Sequence, residues 1–425
     1  MRRYESYKDS GVEWLGEVPS HWDVKKLKYL AKLSPSKAEI ICNHEELCSF
    51  IPMEKLKLNT LVLDEIKQIK SVYSAYTYFR NEDLLIAKVT PCFENKNFAI
   101  AKNLVNSIGF GSSEIYVLRA YNNLFNKFLF YRLQEQNFME IAISKMSGTG
   151  GLKRVPSEFI NNFQLALPPY LEQQKIAQFL DDKTAKIDQA VDLAEKQIAL
   201  LKEHKQILIQ NAVTRGLNPD VPLKDSGVEW IGQVPEHWEV KKLKFVLTLS
   251  NKKEESKNSN KRYIGMENIE SFTGKINDIP LIAEGIANSF YKDEILFGKL
   301  RPYLAKSYLA DFDGICSTEF LVYRSTKVLN NRFALNIFLS YGFIDAVNAS
   351  TYGSKMPRAN AEFISNMFLA IPPLSEQKQI IDYLDKQTAK IHQAIALKTA
   401  HIEKLKEYKS VLINDAVTGK VQVSV

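Results

Sequence analysis

The chain has 425 residues, which is enough for two or three domains with cores of their own. No run of about 18 uncharged apolar residues occurs and no apolar segment follows the basic N-terminus, so we expect neither a transmembrane helix nor a signal peptide. The net charge of +7 permits nucleic-acid binding, and four cysteines without a Cys-x-x-Cys pair indicate a cytoplasmic protein without a disulfide framework or zinc site.

A repeated tryptophan motif lies near the start of the chain. Residues 9–14 (DSGVEW) recur at 225–230, and the match continues through VP, HW and KKLK at an offset of 216 residues. A second repeated block begins with LPP at 167–169 and IPP at 371–373, at an offset of 204 residues. The chain is therefore two copies of one module, and the stretch between the two blocks is 12 residues shorter in the second copy.

The stretches inside each copy, about 25–165 and 241–369, have diverged, and we call them the inserts. Both mix short β-rich runs with turns and helical stretches, which is typical of compact α+β domains. We predict strands at 115–118 and 320–323, and helices near 126–139 and 332–347. Each half is thus a constant frame around a variable insert.

Basic and polar residues cluster beside turn signals in both inserts. The first insert contains SGTGGLKR at 147–154, and the second contains GSKMPR at 353–358. Small residues let the backbone approach phosphates, and Lys or Arg can contact phosphates and guanine. An exposed polar loop without a ligand is an equally good interpretation. The candidate DNA contacts are Lys88, Thr90, Thr149, Lys153, Arg154, Lys299, Arg301, Tyr303, Lys306, Ser354, Lys355 and Arg358.

Each insert is followed by a pair of prolines and a long helical segment without proline. Apolar residues alternate three and four positions apart over about five heptads, which is the pattern of a coiled-coil seam. The predicted seam residues are Leu180, Ile187, Val191, Ile198, Leu201 and Leu208 in the first helix and Leu384, Ile391, Ile395, Ile402, Leu405 and Leu412 in the second.

Two arrangements of these helices are open. They could be buried separately on two domains, or they could pack on each other, most simply antiparallel, which their matched length favours. Lys205 and Lys409 occupy equivalent seam positions and would either mark the register or extend to water. The first helix is neutral, since 171–216 contain seven basic and seven acidic residues, so the positive charge lies mostly in the inserts.

The order of the blocks predicts a closed arrangement. The first helix is followed by the DSGVEW motif at 225, whereas the motif that would follow the second helix stands at the N-terminus. The order of the blocks is therefore that of a circular repeat opened at one point. We expect the two ends of the chain to meet and the molecule to have a pseudo-twofold axis.

No motif indicates catalysis. Residues 167–170 (LPPY) resemble the Pro-Pro-Tyr of amino-methyltransferases, but leucine stands where that motif needs a polar residue to accept the target amine. The lone Gly-x-Gly at 109–111 is a weak cofactor-loop signal, and neither a Gly-x-x-x-x-Gly-Lys-Ser/Thr loop nor a Gly-x-Ser-x-Gly elbow occurs. We therefore assign no catalytic residue and no metal ligand.

Three motifs together resemble a known family. VPxHWxVKKLK in the frame, PPxxEQ at the helix start and TAKID at 184–188 are similar to the specificity subunit of type I restriction–modification systems, over nearly the whole chain and both repeats. The resemblance implies two α+β target recognition domains, separated by two long antiparallel helices that form a coiled coil, in a pseudo-twofold circular repeat. The predicted boundaries are 1–167 and 217–371 for the recognition domains, 168–216 for the central conserved helix and 372–425 for the distal one.

The resemblance also implies a function without catalysis. Such a subunit binds an asymmetric two-part site on double-stranded DNA, one half-site per recognition domain, and docks methylation subunits and restriction or motor subunits. S-adenosylmethionine, ATP and Mg²⁺ would be held by those partners and none by this chain, and no membrane is involved. The alternatives are a stand-alone DNA methyltransferase and a coiled-coil scaffold that does not touch DNA.

Overall fold

The computed structural model describes residues 2–41, 43–282, 285–353 and 355–423. They form two compact units: unit 1 is Met1–Leu193 with Ala400–Val425, and unit 2 is Ala194–Thr399. Each unit contains one insert and about half of each long helix. The units therefore divide the chain within the helices, whereas the sequence-based boundaries give each helix a segment of its own. No helix among the described residues is both long and apolar enough to span a membrane.

Unit 1 is a mixed α+β unit. Its helices outside the long pair are α1 (Ile69–Val72), α2 (Asn126–Arg132), α3 (Gln136–Ser144) and α4 (Ser157–Asn162). Its strands are β1 (Tyr7–Asp9), β2 (Glu17–Pro19), β3 (Asp23–Lys26), β4 (Ala31–Leu33), β5 (Leu47–Ile51), β6 (Leu56–Lys57), β7 (Thr60–Leu61), β8 (Ile66–Gln68), β9 (Thr77–Arg80), β10 (Leu84–Ala87), β11 (Phe98–Ile100), β12 (Ile108–Gly111), β13 (Ile115–Ala120) and β14 (Gln164–Leu167).

Two four-stranded sheets form the insert of unit 1. One has the antiparallel order β11-β10-β13-β4, and the other has the order β8-β5-β12-β9 with β5 and β12 parallel. The Gly-x-Gly at 109–111 lies on β12. A side chain at Gly109 would collide with the ring of Phe79, since a Cβ there would lie 2.1 Å from its Cε2. That glycine pair therefore serves strand packing and is not a cofactor loop.

Unit 2 repeats this plan. Between the long helices it contains α6 (Asn331–Phe338), α7 (Tyr341–Ala349) and α8 (Ala361–Asn366). Its strands are β15 (Leu223–Asp225), β16 (Gln233–Pro235), β17 (Glu239–Lys242), β18 (Leu247–Ser250), β19 (Lys253–Glu255), β20 (Tyr263–Ile264), β21 (Ile286–Phe290), β22 (Ile295–Gly298), β23 (Ser307–Leu309), β24 (Gly314–Cys316), β25 (Phe320–Ser325) and β26 (Phe368–Ile371).

The two units differ mainly at the edge of the second sheet. The first sheet of unit 2, β18-β25-β22-β23, matches β4-β13-β10-β11 strand for strand, and the frame pairs β3–β14 and β17–β26 also correspond. The second sheet has the order β19-β21-β24-β20, in which β21, β24 and β20 correspond to β9, β12 and β5. The fourth strand, β19, therefore pairs with the counterpart of β9, whereas in unit 1 the fourth strand, β8, pairs with β5 at the opposite edge. The divergence of the inserts is therefore concentrated in one sheet, while the frame and the first sheet are retained.

The predicted strands at 115–118 and 320–323 are confirmed as parts of β13 and β25. Each predicted single helix of the inserts is instead two short ones, α2 with α3 and α6 with α7. The breaks occur because Glu135 and Ser340 adopt extended backbone angles, and the carboxylate of Glu135 accepts a hydrogen bond from the amide of Asn137 at the start of α3.

The long helices are α5 (Tyr170–Arg215) and α9 (Leu374–Thr418), and both begin directly after their proline pairs as predicted. A buried glutamine explains the repeated EQ of the helix start. Gln173 donates from Nε2 to the carbonyl of Pro168 (2.9 Å) and accepts from the amide of Phe125 (2.8 Å), and Gln377 makes the equivalent pair of bonds. The glutamine therefore ties the first helical turn to the segment before the insert's helices.

The seam positions named from the sequence are buried or half-buried in both helices, and none is exposed. Within each unit the two helix segments run antiparallel. In unit 1 Lys409 Nζ lies 2.7 Å from Asp188, and in unit 2 Lys398 Nζ donates to Gln197 Oε1 at 2.6 Å. Of the two arrangements predicted from the sequence, the one in which the long helices pack on each other is thus correct.

Lys205 differs from one expectation. Its side chain does not extend to water; it is buried, and Nζ donates to the carbonyl of Phe272 (3.1 Å) and lies 3.1 Å from His392 Nε2. Burial, and after it the neighbouring charge of Lys275, lowers the pKa of Lys205. Burial likewise lowers the pKa of His392, which favours the neutral ring that can accept from the ammonium.

Replacing Lys205 with Met is expected to flatten the pH dependence of stability. The folded pKa of Lys205 is lower than its unfolded value near 10.5, so the unfolded chain binds more protons between these two values and the wild-type free energy of unfolding rises with pH there. Urea unfolding across this range should show the rise in wild type and in the exposed-lysine control Lys202→Met, and lose it in Lys205→Met. Parallel curves for all three proteins would contradict the burial of the charge.

The two ends of the described chain meet in unit 1. Arg2 pairs with Gln422 in an antiparallel bridge, and the amide of Gln422 donates to the carbonyl of Arg2 at 2.8 Å. This contact confirms the circular closure predicted from the order of the repeated blocks.

Candidate nucleic-acid interface

The candidate residues of unit 1 meet at one loop. Lys88 and Thr90 directly follow β10, and the loop 147–154 crosses the end of that strand. The amide of Thr90 donates to the carbonyl of Lys153 (3.0 Å), and the amide of Lys153 donates back to Thr90 Oγ1 (3.1 Å). Lys153 and Thr149 are exposed and Lys88 is half-buried. Thr90 therefore positions the loop, while the lysines present the charge.

Unit 2 builds the same junction. Lys299 and Arg301 follow β22, and the amide of Arg301 donates to the carbonyl of Pro357 (2.7 Å). The amide of Ala359 donates to the carbonyl of Lys299 (2.9 Å). The two polar loops thus lie at equivalent ends of equivalent strands, although their sequences share little.

An arginine fork closes each junction. Arg154 donates through Nε and Nη2 to the two carboxylate oxygens of Glu114, both at 2.8 Å, and Arg358 donates in the same way to Glu319, with its Nη2 at 2.9 Å. The hydrogen bond to Arg154 lowers the pKa of Glu114, and the carboxylates raise the pKa of both arginines.

The forks change how these two arginines can act. A guanidinium has five N–H groups, and a two-bond fork leaves about three of them for another acceptor. Arg154 and Arg358 stay candidate DNA contacts, but their charge is partly neutralised and their first role is to hold the loop against the strand that carries the glutamate. The exposed lysines of the loops are therefore the freer cations.

Some of the remaining candidate DNA contacts of unit 2 are exposed, and one is already hydrogen-bonded within the protein. Lys355 is exposed and Tyr303 is 45% exposed. Lys306 is engaged, because its Nζ donates to the carbonyl of Met266 at 2.5 Å. Ser354 lies outside the described residues. The available side chains at this end of unit 2 are thus Lys355, Tyr303 and the exposed Arg301.

Sequence reasoning missed both glutamates of the forks and a basic cavity. The glutamates stand in the similar pairs Ser113-Glu114 and Thr318-Glu319 of the two inserts, and this similarity was their available signal. The cavity, of about 750 Å³, lies in the insert of unit 2 beside Lys257, Lys261 and Arg262. The lysine-rich run from 252 to 262 was its available signal.

A family comparison decides what this repeated architecture is. The model of the type I restriction modification DNA specificity domain matches residues 19–202 and again residues 235–405. The chain belongs to this family. The two matched stretches coincide with the two repeats and include both inserts and most of both long helices. The resemblance drawn from the frame, the helix start and the long helices is therefore confirmed.

Relatives of this specificity family share parts or all of the chain. The type I restriction enzyme EcoAI specificity subunit of Escherichia coli is 35% identical over 195 residues, which is 45% of this chain and 32% of that protein. The MjaVIII specificity subunit of Methanocaldococcus jannaschii is 23% identical over 429 residues, covering 96% of this chain and 94% of the relative. The match thus spans about a third of the EcoAI subunit but nearly all of the MjaVIII subunit.

Solved structures show the same fold for this specificity-family chain. A chain from a study of complex assembly and conformational transition of the type I R-M system aligns with a TM-score of 0.74 at 15% identity, covering 95% of this chain and 99% of that one. The HsdS subunit from Thermoanaerobacter tengcongensis aligns with a TM-score of 0.58 at 16% identity, covering 95% and 98%. The predicted fold class, with two α+β domains and long helices, is confirmed.

Proposed function

We propose that this chain selects the DNA target of a type I restriction–modification assembly and performs no catalysis itself. The proposal rests chiefly on one observation: the family's specificity domain matches twice, and each copy holds a basic loop at the same place in a diverged insert. Repeated frames with different inserts fit a target of two different half-sites. Each insert reads one half-site, so the target is asymmetric.

The loop junctions suggest how each insert would engage DNA. Exposed lysines beside small residues can contact phosphates, which positions the protein but does not specify sequence. Sequence would be read by side chains that reach base edges from the same end of the unit, and Tyr303 and Arg301 are the exposed candidates there. We further propose that the two half-sites lie on one face of the duplex, about one helical turn apart.

The proposed partners follow from the family. Methylation subunits and restriction or motor subunits would dock on the constant frame, and they would hold S-adenosylmethionine, ATP and Mg²⁺. The absence of a phosphate-binding Gly-x-x-x-x-Gly-Lys-Ser/Thr motif from the sequence supports this assignment of ATP to a partner. The chain would thus determine which DNA sequence is bound, and its partners would carry out the catalysis.

A binding and transfer experiment tests this function. The purified chain, alone and with methylation subunits, is incubated with random duplex DNA in a gel-shift assay and then with labelled S-adenosylmethionine. We expect a shifted complex that strengthens with the subunits, and methyl transfer only when they are present. Transfer by the chain alone would show a methyltransferase, and no shift under either condition would show a scaffold.

Replacing Lys355 with Ala is expected to weaken DNA binding by a similar factor on all sequences. Loss of one phosphate contact should reduce the slope of log K against log salt by about 0.9. Binding titrations between 50 and 200 mM salt, roughly the range over which such contacts are sensitive, measure this slope. Lys404→Ala, on the exposed face of α9 outside the inserts, is the matched control and should leave the slope unchanged. An unchanged slope for Lys355→Ala would remove that loop from the interface.

A further inference from the structure

The frame of unit 1 contains an aromatic side chain bound in a polar pocket. Tyr4 is buried, and its hydroxyl donates to Glu172 Oε1 at 2.6 Å. Its ring meets Trp22 edge-on with centroids 5.8 Å apart and packs on His21 at 5.6 Å. Trp22 Nε1 also donates to Glu172, and His21 Nε2 lies 2.9 Å from its second oxygen. The glutamate therefore meets three partners: a phenol, an indole and an imidazole.

Unit 2 has the same polar frame without the phenol. His237 Nε2 lies 2.6 Å from Glu376 Oε1, and Trp238 Nε1 donates to Glu376 Oε2 at 2.9 Å. These residues are the repeat equivalents of His21, Trp22 and Glu172. Among the ring contacts of the described residues, none involves Trp238 or His237. A carboxylate has about four acceptor positions, so Glu376 can accept a further donor.

A cavity of about 500 Å³ borders His237 and Glu376. The repeat equivalent of Tyr4 is Asp220, which is exposed, and the short linker 217–222 that carries it runs directly from α5 to β15. The floor of the cavity is apolar at Ile380, which is 1% exposed, and Gln379 forms part of its wall. The cavity therefore has an apolar surface and a carboxylate acceptor that suit an aromatic ring with a hydroxyl group, and Asp220 stands where unit 1 has such a ring.

We propose that this cavity binds a tyrosine side chain of a partner polypeptide, in the way that the equivalent pocket of unit 1 binds Tyr4. The occupant is defined by the chemistry of that pocket: an aromatic ring that packs against His237 and Ile380, with a hydroxyl that donates to Glu376. Tyrosine is among the residues that dominate the binding energy of protein interfaces when they fill such pockets. The identity of the partner rests on the proposed function, which places methylation subunits on the constant frame.

Binding of p-cresol, which is the tyrosine side chain without its backbone, tests the pocket directly. Saturation-transfer NMR on the full chain should show p-cresol binding that is stronger than toluene binding, because toluene lacks the hydroxyl. Gln379→Trp places a large ring at the cavity wall on the exposed face of α9 and should abolish the signal. Lys378→Trp, an exposed neighbour that does not line the cavity, should retain it.

Tyr4→Ala supplies a positive control for the chemistry. Removing Tyr4 should open the same kind of pocket in unit 1, so p-cresol should raise the unfolding temperature of this variant more than that of wild type. Rescue of Tyr4→Ala combined with a p-cresol signal that Gln379→Trp does not reduce would overturn the proposal, since unit 2 would then lack a working pocket.

Assembly with methylation subunits tests the partner. Gln379→Trp should weaken that assembly at least about tenfold relative to Lys378→Trp, as expected for loss of a buried aromatic anchor. DNA binding by the chain alone should not change. Normal assembly by Gln379→Trp would overturn the docking role and leave the proposed function intact. If the wild-type chain does not assemble with methylation subunits at all, the proposed function is overturned, and so is this choice of partner. The p-cresol experiment would still show whether the cavity binds a phenol ring.

Discussion

Exchanging residues 25–165 for the insert of another family member is expected to change one half of the recognised DNA site and leave the other half unchanged. The insert contains both sheets of unit 1 and the loop 147–154, whereas the frame strands β3 and β14 lie at its borders. The frame of unit 2 shows that the same borders accept a different second sheet. The effect is qualitative, because the former half-site loses its specific recognition, typically worth a factor of 10³ or more over non-specific DNA.

The reciprocal exchange of residues 241–369 is the matched control and should change only the other half-site. Methylation mapping of each chimera, assembled with the same methylation subunits, measures the outcome. A chimera in which both half-sites change would show that the inserts do not read DNA independently. A chimera with the parental site would move recognition out of the inserts.

Replacing Trp238 with Ala is expected to destabilise unit 2 by about 3–5 kcal/mol, the usual cost of removing a buried large aromatic side chain. Trp238 is 1% exposed, packs against Gly216 at the end of α5 and donates to Glu376 at the start of α9. The variant therefore loses packing and leaves the carboxylate with one fewer donor. Urea unfolding monitored by circular dichroism measures the change.

Phe245→Ala is the control for this substitution, because Phe245 belongs to the same unit and is 65% exposed. Its removal should change the free energy of unfolding by less than about 0.5 kcal/mol. Equal effects of the two substitutions would mean that the tryptophan motif does not hold the helix ends to the frame. Trp22→Ala in unit 1 should resemble Trp238→Ala, since Trp22 is fully buried.

The repeat made the frame predictable from sequence. The tryptophan motif, the proline pair and the heptad pattern each recur at a fixed offset. Helix starts and heptad seams follow from local sequence patterns, so they can be recognised before the surface that packs against them is known. The start of α5 directly after its proline pair and the meeting of the two chain ends were accessible in this way.

The details of the site depend on contacts between residues far apart in the chain. The fork between Arg154 and Glu114 joins residues 40 positions apart, and no local sequence pattern indicates that they meet. The breaks at Glu135 and Ser340 also escaped prediction, because apolar periodicity continues across them. Lys205 was predicted either to mark the register or to extend to water, and its buried contacts are with Phe272 and His392, which lie far from it in the sequence.

The most direct test of whether two different inserts read one split site is to map the methylated bases in a genome that expresses this chain with its methylation subunits. We expect methylation at a single two-part sequence whose halves differ and are separated by a spacer of fixed length and unspecified sequence. Methylation at a palindrome, or at a continuous site without a spacer, would contradict it.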